Sequence, residues 1–310
     1  MSNFTLITYI RLKATVTILR FVVALGAFLP LRRDRLSTST AAIECIRIPS
    51  RQPGRTITAE LYIPPDSTSA RPVLINWHGS GFIFPLHGSD SVYCARVAKE
   101  AGVFVLDADY RHAPEFPFPK PLEDVEDVLK WVDGQSSRFD LSRVGVSGFS
   151  AGATLALTAA SGLRKKLDNA KIILAVALYP VTDLSIDYSQ KTVPRPINPH
   201  PPFMANLFND CYAPELSLRS NPRVSPGLAD PSTFPDTIVL LTCEGDNFAP
   251  EGDALAEKLQ DGKRRVVHKR LKDIHHGFDK GVKEGTKEWD RREEAYGIIV
   301  RTLKETFETA

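Results

Sequence analysis

The feature that most constrains the fold is a regular alternation of apolar runs with amphipathic stretches after residue 40. PVLINW (72–77) and VFVLDAD (103–109) are continuous apolar runs, which is typical of parallel strands covered on both faces. PLEDVEDVLKWVDG (121–134) instead places its apolar residues at helical spacing. Strands that alternate with helices predict an α/β domain with a largely parallel sheet.

The remaining runs extend the same pattern. Further strands are predicted at IECIRI (43–48), TITAELYI (56–63), RVGVSGF (143–149), KIILAVALYP (171–180), TIVLLTCE (237–244) and RRVVHKRL (264–271). Further helices are predicted at 91–102, 151–167, 251–260 and 289–308. The irregular insert near 183–225 is too long for a simple loop. We expect it to form a cap with the N-terminal segment over the carboxyl edge of the sheet, where open α/β folds bind ligands.

The N-terminal segment allows three interpretations. Its apolar residues run from 4 to 31, but Arg11, Lys13 and Arg20 interrupt them. The longest clean stretch (21–31) is shorter than the about 20 residues of a spanning helix. We favour an amphipathic helix that packs on the body; a membrane-surface helix and a cleaved signal are the alternatives. The expected domains are thus 1–40, a cap or membrane-associating helix, and 41–310, the catalytic domain.

The charge balance, the cysteines and the glycine-rich motif indicate which partners and cofactors to expect. The 39 basic and 37 acidic residues nearly balance, which gives no reason to expect a nucleic-acid partner. The four cysteines form no CxxC pair, so we expect buried thiols in a reducing compartment. GVSGFSAG lacks the lysine of a phosphate-binding loop. We expect no cofactor and no metal, and a cytoplasmic location with possible membrane contact through residues 4–31.

GFSAG (148–152) places Ser150 between two glycines where a strand precedes a helix. A serine on such a tight turn is a candidate nucleophile, although the motif alone is common. The hydroxyl then needs a base, a carboxylate that orients the base, and amide donors for the oxyanion.

Candidates for each of these partners follow predicted strands. His276 lies in the loop after 264–271 and is the preferred base, with His275 as the fallback. Asp246 follows 237–244 and is the preferred acid. The order serine, aspartate, histidine is that of nucleophile-elbow hydrolases. Glu244 and Asp253 are weaker candidates for the acid. We interpret His268 as a structural or exposed residue. The glycine-rich NWHGSGFIF (76–84) predicts an oxyanion loop with the amides of Ser80 and Gly81, joined by that of Ala151.

These motifs together resemble the hormone-sensitive-lipase branch of the α/β-hydrolase superfamily. The resemblance rests on HGSGF, DYRHAPEFPFP, GFSAG, the aspartate of CEGDNFAPEG, and HHGF, over residues 45–280. It implies the α/β-hydrolase fold, a mostly parallel central sheet flanked by helices, with a helical cap. It assigns Ser150, Asp246 and His276 to the triad and Ser80, Gly81 and Ala151 to the oxyanion hole. It gives His78 and the DYRHAPE segment (Asp109, Arg111, Glu115) supporting roles.

The sequence departs from the family at several positions near the site, among them Ala153, where the elbow usually has a second glycine. Phe149 stands where the family usually has aspartate, so the support beneath the elbow must differ. Ser80 replaces a glycine whose backbone would need positive φ, and its hydroxyl could touch the acyl oxygen.

The function that follows is a serine carboxylesterase acting on short to medium acyl esters or on a hydrophobic small molecule. The apolar pocket is predicted from Phe82, Phe84, Phe203, Met204 and Phe208, with ordinary cap packing as the alternative. The same triad on a lactone, formamide, thioester or lipid ester stays open. A non-catalytic binding protein on this scaffold is disfavoured because the histidine and the aspartate are present. The sequence does not indicate an oligomeric state.

Overall fold

The computed structural model describes residues 5–65 and 69–309. The first residues of the predicted N-terminal segment therefore lie outside the described part, as do residues 66–68 and 310 within the predicted catalytic domain.

The described residues contain one eight-stranded sheet in the order β1-β2-β4-β3-β5-β6-β7-β8. β2 pairs antiparallel with both β1 and β4. The other six strands, which follow in the order β4, β3, β5, β6, β7 and β8, are parallel to one another. This sheet confirms the predicted α/β class, and each predicted strand is present. The strands are β1 Ala42–Pro49, β2 Thr56–Ile63, β3 Arg71–Trp77, β4 Phe104–Ala108, β5 Phe139–Phe149, β6 Ile172–Leu178, β7 Thr237–Cys243 and β8 Arg265–Leu271.

Helices flank the sheet as the spacing predicted. One boundary differs by more than two residues: the α-helix expected over 151–167 ends at Thr158 and continues as a π-turn and a 3-10 turn. The α-helices are α1 Leu6–Ser37, α2 Ser91–Ala101, α3 Lys120–Asp133, α4 Ala151–Thr158, α5 Pro202–Tyr212, α6 Leu216–Arg219, α7 Ala249–Lys258 and α8 Lys287–Thr309.

The core lies on both faces of the sheet because successive strand residues point to opposite sides. Val73 of β3 belongs to a cluster with Val128 of α3 and Leu155 of α4. The next residue, Leu74, belongs to a second cluster with Ile299 of α8. Each such fully buried side chain contributes roughly 1.5–3 kcal/mol to folding.

A third, smaller cluster joins α1 to α5, which is the longest helix of the predicted insert. Leu12 and Val16 of α1 pack with Leu207 and Cys211 of α5 and with the loop residue Ile83. The two segments expected to form a cap are thus in contact with each other above the loop that follows β3.

α1 is longer and more apolar than the interrupted run suggested. Its most apolar 18-residue stretch has a mean hydropathy of 2.0, so by length and composition it could cross a membrane. The clean apolar run 21–31 is short because Arg20 precedes it. In the structure the Arg20 guanidinium turns to the body and donates to Glu115 and to the carbonyl oxygen of Ile83.

Candidate active site

Ser150 occupies a strained turn between β5 and α4, with φ of 50° and ψ of −118°. Such a backbone conformation costs a non-glycine residue about 1–3 kcal/mol, and it lifts the side chain out of the turn. The flanking glycines are needed for space. A Cβ on Gly152 would lie 2.0 Å from the carbonyl oxygen of Trp77, and one on Gly148 would lie 2.3 Å from the backbone of Gly152.

Three side chains meet at the carboxyl edge of the sheet. His276 Nε2 lies 2.7 Å from Ser150 Oγ, and its Nδ1 lies 2.7 Å from Asp246 Oδ2. With a neutral imidazole, the serine hydroxyl donates to Nε2, and the Nδ1–H group donates to the carboxylate. Asp246 is 4% exposed and also accepts from the amide of Phe248. The carboxylate is therefore held in one orientation.

The fallback candidates have other partners. His275 Nδ1 lies 2.7 Å from the carbonyl oxygen of His276. Asp253 lies 2.8 Å from His268 Nε2 and accepts from Thr242 Oγ1. Glu244 accepts from the amide of Asp273. These residues do not contact Ser150.

The predicted oxyanion residues Ser80, Gly81 and Ala151 line the same cavity as Ser150. Positive φ occurs at Gly81 (54°) and Phe82 (63°) but not at Ser80, so the expected strain at position 80 was wrong. The Ser80 hydroxyl lies 2.6 Å from the Tyr110 hydroxyl and accepts from the amide of Phe82. It is used within the loop, which differs from the expectation that it contacts the acyl oxygen.

His78 and Asp109 support this loop from behind. His78 Nε2 lies 3.3 Å from Asp109 Oδ1, and the Tyr110 hydroxyl donates to the carbonyl oxygen of His78. Burial raises the pKa of Asp109, but the hydrogen bond and charge of His78 outweigh it and lower the pKa to about 2.

Three residues near this loop have a spacing that could hold a metal ion: one atom each of His78, Asp109 and His112 lies within 4.8 Å of the others. Asp109 also accepts from the amide of Tyr110, so its oxygen already holds the loop.

Arg111 and Glu115 are the other two residues of the DYRHAPE segment with an expected supporting role, and both form ion pairs. The buried Arg111 donates to Asp124 of α3 through its Nε and its amide. Glu115 accepts two hydrogen bonds from Arg20 of α1, at 2.8 and 2.9 Å. The segment thus connects the sheet to α3 on one side and to α1 on the other.

A half-buried cation, Lys280, lies beneath the elbow and was not predicted from the sequence. Lys280 Nζ lies 3.6 Å from the centroid of the Phe149 ring, within range of a cation–π interaction. It is also 2.6 Å from Asp90 Oδ1 and 2.8 Å from Asp279 Oδ2. Burial lowers the pKa of Lys280, but the two carboxylates outweigh it and raise the pKa. The signal in the sequence was Phe149. An aromatic ring stands there where the family usually has an aspartate, so a different group must support the elbow.

The cavity above Ser150 has a volume of about 250 Å³ and a mostly apolar lining. Phe82, Phe84 and Phe208 line it, as expected. Phe203 does not: it is 65% exposed on the outside of α5, because the inner face of that helix is formed by Ala205, Phe208 and Asn209. Met204, in the first turn of α5, is not part of the lining either, so both assignments were wrong. The lining residues that the prediction missed include Ala27, Leu31, Tyr179, Val181, His200 and Phe248.

His200 is the histidine among these missed lining residues. Its ring centroid lies 5.0 Å from that of His276. Burial, and then the charge of His276, lower the pKa of His200 to about 4, so it is neutral near pH 7. A neutral imidazole beside His276 adds no charge to the cavity.

This chain is similar in sequence and in structure to known esterases. Residues 74–280 match the α/β hydrolase fold family. An ethyl acetate hydrolase of Pseudomonas putida is 30% identical over 231 residues, 73% of this chain and 72% of that protein. The carboxylesterase NlhH of Mycobacterium tuberculosis is 29% identical over 241 residues, 74% of each chain. A hyperthermophilic esterase from the archaeon Pyrobaculum calidifontis superposes with a TM-score of 0.79 at 26% identity, covering 97% of this chain and 98% of its own.

Proposed function

The chain belongs to the α/β-hydrolase fold family and is a carboxylic ester hydrolase, and we propose that Ser150, His276 and Asp246 are its catalytic triad. The observation that carries this assignment is the pair of 2.7 Å contacts that joins the three side chains. A serine hydroxyl is nearly inert at neutral pH, and this arrangement gives it a base whose tautomer is fixed by a buried carboxylate.

The proposed reaction has two halves. Ser150 Oγ attacks the ester carbonyl carbon while His276 Nε2 takes the hydroxyl proton. The tetrahedral intermediate collapses, the carbon–alkoxy bond breaks, and His276 gives the proton to the departing alcohol. In the second half His276 takes a proton from water, which attacks the acyl-enzyme. The acid leaves, and Ser150 regains its proton.

Backbone amides stabilise the oxyanion in this proposal. Ala151 provides one amide at the start of α4, and the loop after β3 provides those of Ser80 and Gly81. Positive φ at Gly81 turns this part of the loop, and the hydroxyl of Ser80 holds the amide of Phe82. A preorganised donor of this kind is worth roughly 2.7–4 kcal/mol of transition-state stabilisation.

We propose that the substrate is an uncharged ester with a short to medium acyl chain or with another small apolar group. The cavity of about 250 Å³ is lined by aromatic and aliphatic side chains such as Phe82, Phe208 and Phe248. Its cation, Lys280, is already paired with two carboxylates. Neither feature favours a charged acyl group.

We also propose that the enzyme is cytoplasmic and contacts membranes through α1, since its free thiols suit a reducing compartment. The support for membrane contact is the apolar composition of the helix together with its low burial.

The assignment is tested by hydrolysis of p-nitrophenyl esters from acetate to palmitate. Wild type and Ser150→Ala are compared at each chain length. Loss of the nucleophile should lower kcat by roughly 10⁴-fold or more. Equal turnover by the two proteins would refute the role of Ser150. The chain length with the highest kcat/KM measures the acyl space.

A further inference from the structure

The outward face of α1 is a large exposed apolar surface. Among the described residues, large apolar side chains are exposed at sixteen positions, and ten of these are in α1. A soluble helix normally has one apolar stripe, which faces the core, whereas α1 buries only Leu12, Val16 and Asp34. A patch of this size marks an interaction site. The ten residues, called here the outer face, are Leu6, Ile7, Ile10, Ile18, Phe21, Val22, Leu25, Phe28, Leu29 and Leu36.

α1 is attached to the body along its length and is not a free anchor. Arg20 binds Glu115, and Arg35 binds Glu60 of β2. Near its end, Asp34 accepts from the amide of Gly281, where a Cβ would lie 2.4 Å from the Cβ of Pro30. A helix fixed in this way lies against the enzyme and can present the outer face to a surface, but it cannot cross a membrane without these contacts breaking.

The charges around the outer face favour an anionic lipid surface. Arg11 and Lys13 are exposed near its start, and Arg32 and Arg33 near its end. The one acidic residue of α1, Asp34, is buried. Basic residues flanking an apolar helix face are typical of helices that lie in the interface of anionic membranes. If two copies of this chain paired through the outer face, the basic residues of one copy would lie against those of the other, whether the two helices were parallel or antiparallel.

A groove connects the outer face to the active site. It has a volume of about 460 Å³ and lies between α1, with Ala24, Phe28 and Leu36, and the loop 85–89, with Pro85. The residues common to this groove and to the cavity above Ser150 are Ala27, Leu31, Leu86 and Ser89. The two spaces therefore adjoin. Phe28 belongs both to the outer face and to the groove wall.

We propose that the outer face of α1 binds an anionic lipid surface, and that the groove admits an apolar part of an ester dissolved in that surface to Ser150. This inference rests on the proposed function and adds the source of the substrate and its route. It predicts that water-soluble esters react without lipid, whereas esters whose medium-length acyl chain makes them dissolve in a bilayer react best from that bilayer.

Binding is tested with the full chain by flotation with vesicles of roughly three parts phosphatidylcholine to one part phosphatidylserine. Wild type should float, less so at high salt and less so with pure phosphatidylcholine. The variant Phe21→Glu/Leu25→Glu should bind at least roughly tenfold more weakly, since each buried apolar side chain is worth about 1.5–3 kcal/mol. The control Phe203→Glu/Leu216→Glu changes two apolar residues of similar exposure outside α1 and should float like wild type.

The groove is tested with Ala24→Trp, which adds bulk to its wall. The measured quantity is the ratio of hydrolysis of vesicle-borne p-nitrophenyl decanoate to hydrolysis of soluble p-nitrophenyl acetate. This ratio should fall several-fold, while flotation stays as in wild type. An unchanged ratio would overturn the groove as the route.

Two other outcomes would overturn the docking surface. One is wild type that does not float. The other is a wild-type dimer, detected by light scattering, that Phe21→Glu/Leu25→Glu converts to monomer, because a second copy would then cover the outer face. Acetate hydrolysis by each variant separates these failures from failure of the esterase assignment, which would abolish turnover whether or not the protein floats.

Discussion

His276 turns its Nε2 atom to the hydroxyl of Ser150, 2.7 Å away, whereas the preceding His275 turns its Nδ1 atom to the carbonyl oxygen of His276. Two adjacent histidines thus have the same chemistry but different partners. A comparison of the two isolates the effect of the contact with Ser150.

His276→Ala should lower kcat for p-nitrophenyl acetate by roughly 10⁴-fold or more, because the nucleophile then lacks its base. His275→Ala is the matched control and should retain activity within about tenfold of wild type, since it does not contact Ser150. Steady-state kinetics on the two purified variants measures both effects. Equal losses would show that neither histidine has the assigned role.

Asp246→Asn should lower kcat by roughly 10³–10⁴-fold with little change in KM, because an amide stabilises the wrong imidazole tautomer and no longer balances the imidazolium. Asp253→Asn is the comparison, since that carboxylate binds His268 and Arg270 instead. Its kcat should stay near the wild-type value. A larger loss from Asp253→Asn than from Asp246→Asn would reverse the assignment of the acid.

Lys280→Met should destabilise the protein by roughly 3–5 kcal/mol, because it leaves the buried carboxylates of Asp90 and Asp279 without their cation. Urea unfolding followed by circular dichroism gives the free energy of unfolding. Lys272→Met removes an exposed lysine and should change it by less than about 0.5 kcal/mol. Similar values for the two variants would mean that the buried pairing contributes little.

His112 makes the stability depend on pH. Burial, then the charge of His78, lower its pKa from 6.5 to about 3, against the smaller opposing effect of Asp109; Arg20 and His87 add to the lowering. Because the folded-state pKa lies below that of the unfolded chain, the unfolded state binds more protons between these values. The free energy of unfolding therefore falls as the pH falls from 6.5 towards 3.

His112→Leu should flatten this acid dependence by on the order of 1 kcal/mol per pH unit in that window. Unfolding curves recorded at several pH values between 6.5 and 4 measure the slope. Parallel slopes for wild type and variant would contradict a neutral, buried His112.

The meeting of Ser150, Asp246 and His276 at one edge of the sheet could be predicted from the sequence, because each of these residues follows a strand of a parallel sheet. Once the strands before Ser150, Asp246 and His276 are recognised, topology brings the three loops together. The apolar runs were long enough to identify each strand, and the fold class followed from their alternation with helices.

The lining of the cavity could not be predicted in the same way. Proline-rich sequence around α5 concealed where the helix begins, so its inner face was not known, and Phe203 and Met204 were assigned to the wrong side. Lys280 contacts the adjacent Asp279, but it also contacts Phe149 and Asp90, which come from separate segments. Such contacts are set by tertiary packing, and spacing along the chain does not reveal them.

Labelling with a fluorophosphonate tests the nucleophile most directly. Intact-protein mass spectrometry should show one adduct per wild-type chain, and peptide mapping should locate it on Ser150. Ser150→Ala should take up no label, and His276→Ala should label much more slowly. An adduct on another residue, or ester turnover by wild type with no adduct on Ser150, would contradict the proposed triad.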